Sequence, residues 1–438
     1  MDIKRQTAEG ELIFVVKHIA VLDIGTTGVR ILVAKVNESG VPHIIAKVAM
    51  TCKGMKKCGI ENEEEVVESI KKAVRKIKDQ TETIVKSVYI SIQGANLSLM
   101  HNTDVIRLSG ESDGEEDLEI TYAHIGTLLD KAASVELYED EQLIDIVPVK
   151  YFINDEVQVH DPLNLAAHSL RVEADVVIGR YEYMKQLTAC VNAAGLSVDG
   201  FIPLALAMTG LLPEQSSDMK SVLLVDVGGT MTDYTLYYKN KPYVIDSVPV
   251  GGDHITNDLV QVLGIAPNEA ETIKRDYPLA AVELVSNNVD VAVFSVDKGT
   301  QEVIKVSEIV EIMQARLESL FSVIAKQLAD DDIQTEYIDR IILTGDGITK
   351  FKGLDMLCEQ AFKTKLYPID FSRYTGMKTV YTYASGMVMY ISGLLPYGRR
   401  QSVIEKHYSQ DPQSRPSANQ VKPSILDKMK SFLAKFKE

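Results

Sequence analysis

The chain has 438 residues, 45% of them apolar and 25% charged, and carries a formal net charge of −16 at pH 7. That length exceeds what one ordinary core holds, so two or more domains are expected. The acidity argues against nucleic acid as a partner. No run approaches the roughly 20 apolar residues of a membrane-crossing helix, so any membrane contact is expected to be peripheral.

In the first eighteen residues the only apolar run, Leu12 to Val16, is too short for the core of a signal peptide. Ile19 to Leu22 is a strand-like run that ends in Asp23-Ile24-Gly25-Thr26-Thr27, and Val29 to Val36 is a second. The tight turn between them predicts a β-hairpin. Val41 to Ala49 suits a third strand. Glu61 to Lys78 predicts a helix, with Val66, Val67, Ile70, Val74 and Ile77 on one face. Val85 to Ile92 predicts a buried strand ending at Gly94.

Residues 99–175 change character. They are acidic around Glu111 to Glu119 and hold short strand-like runs, among them Leu143 to Val149 and Leu170 to Ile178, which predicts a small inserted α+β unit. A helix follows at Tyr181 to Ala194, and Ser221 to Val225 runs into Asp226 and a second hairpin signal. Asp253 to Leu263 predicts a helix opened by Gly251 and Gly252, Glu269 to Arg275 another, and Val303 to Leu328 contains a long one. Ile338 to Leu343 predicts a strand that runs into Thr344-Gly345-Asp346-Gly347. Cys52, Cys58, Cys190 and Cys358 form no C-x-x-C pair and have no His cluster, which reads as free thiols in a reducing cytosol.

The two hairpins repeat. Val21-Leu22-Asp23-Ile24-Gly25-Thr26-Thr27 matches Leu224-Val225-Asp226-Val227-Gly228-Gly229-Thr230, which suggests a duplicated α/β domain with a cleft between the halves. Phosphates are bound where backbone N–H groups can come close, and small residues permit that approach. Gly25, Thr26 and Thr27 supply one such loop, and Gly228, Gly229, Thr230 and Thr232 the other. Asp23 and Asp226 could hold a hydrated magnesium ion, or each could simply cap a turn. Gly345, Asp346 and Gly347 form a third loop, on whose backbone a base or ribose could lie. Glu271 and Lys274 share a helix face, as ribose ligands or as an exposed ion pair.

The C-terminus departs from the acidic average. Residues 399–423, rich in Ser, Gln, Pro and Arg, read as a flexible linker. Beyond Pro423, Ser424 suits an N-cap, and Ile425, Leu426, Met429, Phe432, Leu433 and Phe436 trace one helical stripe. Lys428, Lys430, Lys435 and Lys437 flank or oppose it. Residues 424–438 are therefore expected to form an amphipathic helix lying on anionic lipid, with docking on the body or a partner as the alternative.

In their order, the three loops resemble the actin, heat-shock chaperone and sugar-kinase superfamily. VPVGGDHITNDL followed by NEAETIKRDY resembles the segment after the second phosphate loop in the FtsA family of bacterial cell-division proteins. VYISIQGANLSL resembles the point where that family enters its inserted subdomain. The resemblance runs from His18 to Gly398 and includes the C-terminal tip. It implies an actin-like (ribonuclease H-like) duplicated α/β fold around a nucleotide cleft, with a small α+β insertion and the terminal amphipathic helix. In the family's terms, 18–98 opens subdomain 1A, 99–175 is the insertion 1C, and 176–213 and 375–398 complete 1A. Subdomain 2A is then 214–265 and 335–374, around 2B at 266–334. ATP and Mg2+ are the implied cofactors, with Gly251 and Gly252 added to the nucleotide contacts.

The implied role is a filament on the cytoplasmic face of the membrane at the division site. It would tether the FtsZ ring through FtsZ's C-terminal tail and recruit later divisome proteins through 99–175. The resemblance puts the FtsZ site on the subdomain holding the helix with Arg316 and Lys326. Three departures stand out. Thr230 and Met231 replace a glycine and a threonine of the second loop, Asp346 takes the middle of three glycines, and Ile202-Pro203 stands where related ATPases have Glu-Pro. Isoleucine cannot polarise water, so no catalytic base is assigned, and nucleotide binding with slow or absent hydrolysis is expected. A sugar-kinase-like enzyme, an actin-like pilus-assembly adaptor and a chaperone ATPase are the rival readings.

Overall fold

The computed structural model describes residues 17–37, 40–56, 59–81, 83–108, 117–213, 220–348 and 350–394. The linker at 399–423 and the tail at 424–438, with Ile425, Leu426, Lys428, Met429, Lys430, Phe432, Leu433, Lys435 and Phe436, lie outside the described residues.

The first half begins as the sequence predicts. β1 (Lys17–Gly25) and β2 (Gly28–Val36) pair antiparallel from end to end, with only Thr26 and Thr27 between them. Their apolar residues point to both faces, so the strands are buried on two sides. β3 (Pro42–Thr51) continues the meander, and a short ladder of β4 (Met55–Lys56) and β5 (Gly59–Ile60) leads into α1 (Glu63–Thr81). In α1, Val66, Ile70, Ala73 and Ile77 are buried. Glu63, Glu64 and Glu65 occupy its first turn and Lys78 its last, each sign at the helix end that favours it. β6 (Ser87–Ile92) then lies parallel to β1.

The chain next builds a unit with its own core. β7 (Leu97–Arg107), β8 (Leu118–Glu119), α2 (Tyr122–Ala132), β9 (Glu141–Ile153), β10 (Val157–Val159), β11 (Ala166–Ala167) and β12 (Ser169–Arg180) follow in order. The main sheet runs β10-β9-β12-β7, all antiparallel. Leu128 and Ala132 of α2 pack with Ile146, Leu170, Val172 and Val176. Thr121 and His124 form a reciprocal cap at the start of α2, each side chain taking the other's backbone N–H at 3.3 Å.

α3 (Tyr181–Ala193) returns the chain, and β13 (Ser197–Pro203) joins β6 in parallel, giving the five-stranded order β13-β6-β1-β2-β3. α4 (Leu204–Met208) leads towards the second half. There β14 (Ser221–Val227), β15 (Thr232–Tyr238) and β16 (Lys241–Val248) form another meander. α5 (Gly252–Leu263), α6 (Pro267–Asp276), the hairpin β17 (Asp290–Ser295)–β18 (Thr300–Lys305) and α7 (Val306–Asp330) come next. β19 (Arg340–Thr344) then lies parallel to β14, so the order is β16-β15-β14-β19. This repeats β3-β2-β1-β6 in order and direction, so the duplication suggested by the two sequence motifs is a duplication of whole sheets.

α8 (Leu354–Phe362) and α9 (Phe371–Thr375) precede the last helix, α10 (Thr382–Leu394). α10 crosses back to the first half, where Ala384, Met387, Val388 and Ile391 pack against Ile19, Val21, Leu32 and Ala34. The stretch from Val303 to Leu328 does contain a long helix, which begins at Val306; Val303 itself still belongs to strand β18. Among the described residues no helix is long and apolar enough to cross a membrane.

Candidate functional site

β1 and β14 deliver their C-terminal ends to one cleft of about 600 Å³, within the usual range for a small-molecule site. The first half contributes Asp23, Gly25, Thr26 and Thr27 to its lining; the second contributes Asp226, Gly228, Gly345 and Asp346. The two phosphate-type loops face each other. A Cβ on Gly229 would stand 3.1 Å from Thr27 Cγ2 and 3.2 Å from Thr26 Oγ1. The start of α5 braces the second loop from behind, with the N–H groups of Gly252 and Asp253 donating to the carbonyls of Gly228 (2.9 Å) and Gly229 (2.8 Å).

Three carboxylates line this cleft deep between the sheets. Asp23 Oδ1 accepts from Ser91 Oγ at 2.9 Å, and Ser91 Oγ accepts from the Ile24 N–H at 3.2 Å, which fixes the end of β1. Asp226 lies directly across the β14–β15 ladder from Asp233. Burial pushes the Asp226 carboxyl up to about 7; a hydrogen bond from Tyr383 opposes this and the charge of Asp23 adds to it. Burial likewise pushes Asp233 up to about 7, with the charge of Asp226 adding and the N–H groups of Ala95 and Gly94 opposing. Oδ1 of each of these two side chains is buried without a hydrogen-bond partner.

Orphaned carboxylate oxygens in a cleft lined by close-approach glycines fit a cation–phosphate ligand. Among the described residues no group of three or more His, Cys, Asp or Glu is arranged to hold a metal by itself. A hydrated magnesium ion needs only one or two carboxylates, with phosphate and water completing its shell.

The third loop folds onto the second. Gly345 has φ +96°, and a Cβ there would fall 2.3 Å from the Val227 carbonyl oxygen and 2.4 Å from Asp226 Oδ1, so glycine is required. The Gly347 N–H donates to the Val227 carbonyl at 2.9 Å. Phe351, Leu354, Leu366 and Phe371 supply an apolar wall to the same cleft.

Arg30, which the sequence reading passed over, lies at the centre of the polar groups. Its guanidinium donates to Thr27 Oγ1 (2.9 Å) and the Gly28 carbonyl (3.0 Å), and stands 3.8 Å from Asp23 and 3.7 Å from Asp346. Asp233 and Tyr383 were also missed. Only the place of Arg30 as a charge beside the turn in a largely apolar strand was visible in advance.

Other expected residues sit elsewhere. Thr232 is fully buried and donates to the Val250 carbonyl at 2.7 Å, a brace rather than a lining group. Gly251, Gly252 and Gly347 stand behind the loops, and Thr230 and Glu271 line a smaller separate hollow. The Lys274 ammonium is buried and bonds Glu271 (2.7 Å), Thr256 Oγ1 (2.7 Å) and the Gly252 carbonyl (3.0 Å). Burial works against ionising Glu271, but Lys274, Thr256 and Arg275 together hold it below the ordinary carboxylate range. Glu271 and Lys274 thus form a partly buried pair tying α6 to α5, with the Lys274 ammonium buried and Glu271 about one-third exposed, and neither lines the cleft. Arg316 is gripped by both oxygens of Asp258, at 2.6 and 2.7 Å, while Lys326 is exposed. Ile202 is 1% exposed in the core of the first half and brings no carboxylate to the cleft.

Comparison with known proteins bears on the fold and the family. The family model for "Cell division protein FtsA" matches residues 223–387, and that for "SHS2 domain inserted in FTSA" matches residues 94–178. The cell division protein FtsA of Pseudomonas aeruginosa is 26% identical over 412 residues, covering 93% of this chain and 97% of that protein. FtsA of Escherichia coli is 23% identical over 430 residues, covering 96% and 98%. Among solved structures, a chain of the PilM–PilN type IV pilus biogenesis complex aligns with a TM-score of 0.54 at 14% identity, covering 86% of this chain and 98% of that one. This last likeness is one of fold alone. The paired sheets, their cleft and the inserted unit are those of the actin-like fold.

Proposed function

The chain belongs to the FtsA family of cell-division proteins, and from that premise we propose that it is an ATP-binding adaptor that links the FtsZ ring to the membrane. The observation that carries the nucleotide reading is the pair of loops facing each other across the cleft, each beginning at a strand-end aspartate. Asp23 and Asp226 would hold Mg2+, which when bound neutralises phosphate charge. Gly25, Thr26, Thr27, Gly228 and Gly229 let the phosphates approach the backbone, and Arg30 adds a cation. The wall at Phe351, Leu354 and Leu366 keeps water from a base lying on the third loop at Gly345 and Asp346. With Ile202 buried where a base would be needed, the bound nucleotide is hydrolysed slowly or not at all.

In the family's terms we assign 18–98, 176–213 and 375–398 to subdomain 1A, 99–175 to 1C, 214–265 and 335–374 to 2A, and 266–334 to 2B. The protein polymerises on the cytoplasmic face of the cell membrane at the division site. The stripe from Ile425 to Phe436 and its lysines anchor it to anionic lipid. FtsZ's tail docks near Arg316 and Lys326, and later divisome proteins use 99–175. A fluorescent fusion imaged in dividing cells tests this: a midcell band that disperses when FtsZ is depleted is expected. An even distribution over cells with intact FtsZ rings would overturn it.

A further inference from the structure

The cleft has an unusual charge balance for a phosphate site. Among its described lining residues Arg30 is the one cation, against Asp23, Asp226, Asp233, Asp346, Asp355 and Asp370. That cation is already matched, by Asp23 from its own hairpin and by Asp346 from the opposite half. We propose that Asp346 is a built-in counter-ion of the phosphate site, which holds Arg30 from across the cleft and competes with polyphosphate for it. The proposal rests on the ATP reading above and names how the same site is regulated.

The two carboxylates are not equivalent. Asp23 is buried and tied to Ser91, whereas the Asp346 side chain is 54% exposed at the tip of a loop that follows a positive-φ glycine. Arg30 is itself only 12% exposed and is positioned by Thr27 and Gly28, so the guanidinium stays in place and Asp346 is the partner that yields. A phosphate chain entering this cleft meets net negative charge. It either displaces Asp346 from Arg30 or arrives with its own charge neutralised by magnesium. In the nucleotide-free protein the Arg30–Asp346 contact joins the two halves, a bridge that a phosphate touching both loops would replace.

Calorimetric titration with ATP, ADP and AMP, each with and without Mg2+, tests this on the full chain. A half-exposed ion pair is worth up to ~1 kcal/mol, so Asp346→Asn should tighten ATP–Mg binding by about fivefold. The gain should be larger without Mg2+ and smaller for AMP. Arg30→Lys should keep most of the affinity and Arg30→Gln should lose it. In the Arg30→Gln background the benefit of Asp346→Asn should shrink to less than about twofold. A denaturation double-mutant cycle on positions 30 and 346 without nucleotide should show coupling as a separate readout. Unchanged or weaker ATP binding in Asp346→Asn would overturn the proposal, as would an equal gain for AMP and ATP, which would move Asp346 to the base side. If no protein, wild type included, binds ATP while the cycle still shows coupling, the ATP reading is what fails, and the competition falls with it.

Discussion

Asp226 combines two demands that rarely coincide in one carboxylate: one of its oxygens is buried without a partner, and its neighbours across the ladder and the cleft are also acids. A bound cation would relieve both. Asp226→Ala should therefore weaken magnesium-dependent ATP binding by tenfold or more, on the order of 1.4 kcal/mol, without loss of stability in the nucleotide-free protein; calorimetry beside a melting curve checks both. Asp233 makes the pH dependence explicit. Its folded-state pKa, near 7, lies above the ordinary carboxylate value, so the folded chain binds the extra proton. The stability this supplies is fully present below about pH 4 and is lost as pH rises through 7. Asp233→Asn should raise stability at pH 8 by on the order of 2 kcal/mol and flatten the slope between pH 4 and 7, measured in a chelating buffer. An unchanged slope would show that Asp233 is not the titrating group. At this scale the loops were legible, because glycine, threonine and a strand-end aspartate advertise a close approach to a ligand. Arg30 and Asp346 were not legible as a pair. They lie more than three hundred residues apart and meet only when the two sheets close on one cleft.

Among the elements, the strongly periodic ones were readable and the small ones were not. The stripe through Ile309, Met313, Leu317, Leu320, Ile324 and Leu328 fixes the buried face of α7. The exact start of α7 was not legible, because Val303 and Ile304 at the end of β18 run straight into its apolar pattern. β17 and β18 form a two-stranded hairpin with Ala292, Phe294 and Val303 facing solvent, so their alternation lacks the clean polar face that marks a strand. The structure also changes what substitutions in α7 should do. Arg316 ties α7 to Asp258 of α5 through two bonds, so Arg316→Ala should lower stability by about 1–2 kcal/mol in a denaturant titration. Arg316→Glu then changes fold and surface together, and Lys326→Glu is the cleaner probe. Weaker binding of an FtsZ tail peptide to Lys326→Glu at unchanged stability is expected, and unaltered binding would move the docking surface elsewhere.

The duplication is the whole-molecule feature that the sequence announced most clearly, since two matched motifs at corresponding strand ends require two corresponding sheets. The fastening of the inserted unit was hidden. Lys241 of β16 donates to the carbonyls of Pro148 (2.7 Å) and Val149 (2.6 Å), and Tyr390 of α10 to Asp145 (2.5 Å), contacts between residues 92 to 245 positions apart. The proposed attachment to lipid also belongs to this scale. On the proposed reading, one amphipathic helix would hold a monomer only loosely, whereas a filament would present many such helices to one surface. Deleting 424–438, or Phe432→Glu, should abolish pelleting with anionic liposomes while ATP binding persists. High salt should weaken but not erase pelleting of the intact chain. Equal pelleting of intact and tail-deleted protein would show that the anchor lies elsewhere. The return of α10 to the first half has a mechanical consequence. Any pull on the chain beyond Leu394 enters the body through α10, and from there loads β1 and β2, the hairpin that carries Thr26, Thr27 and Arg30. Tension at the C-terminus would therefore reach one jaw of the cleft directly and the other through Tyr383 of α10, which donates to Asp226 and packs on the second half, so a taut tether would pull at the floor of the nucleotide cleft.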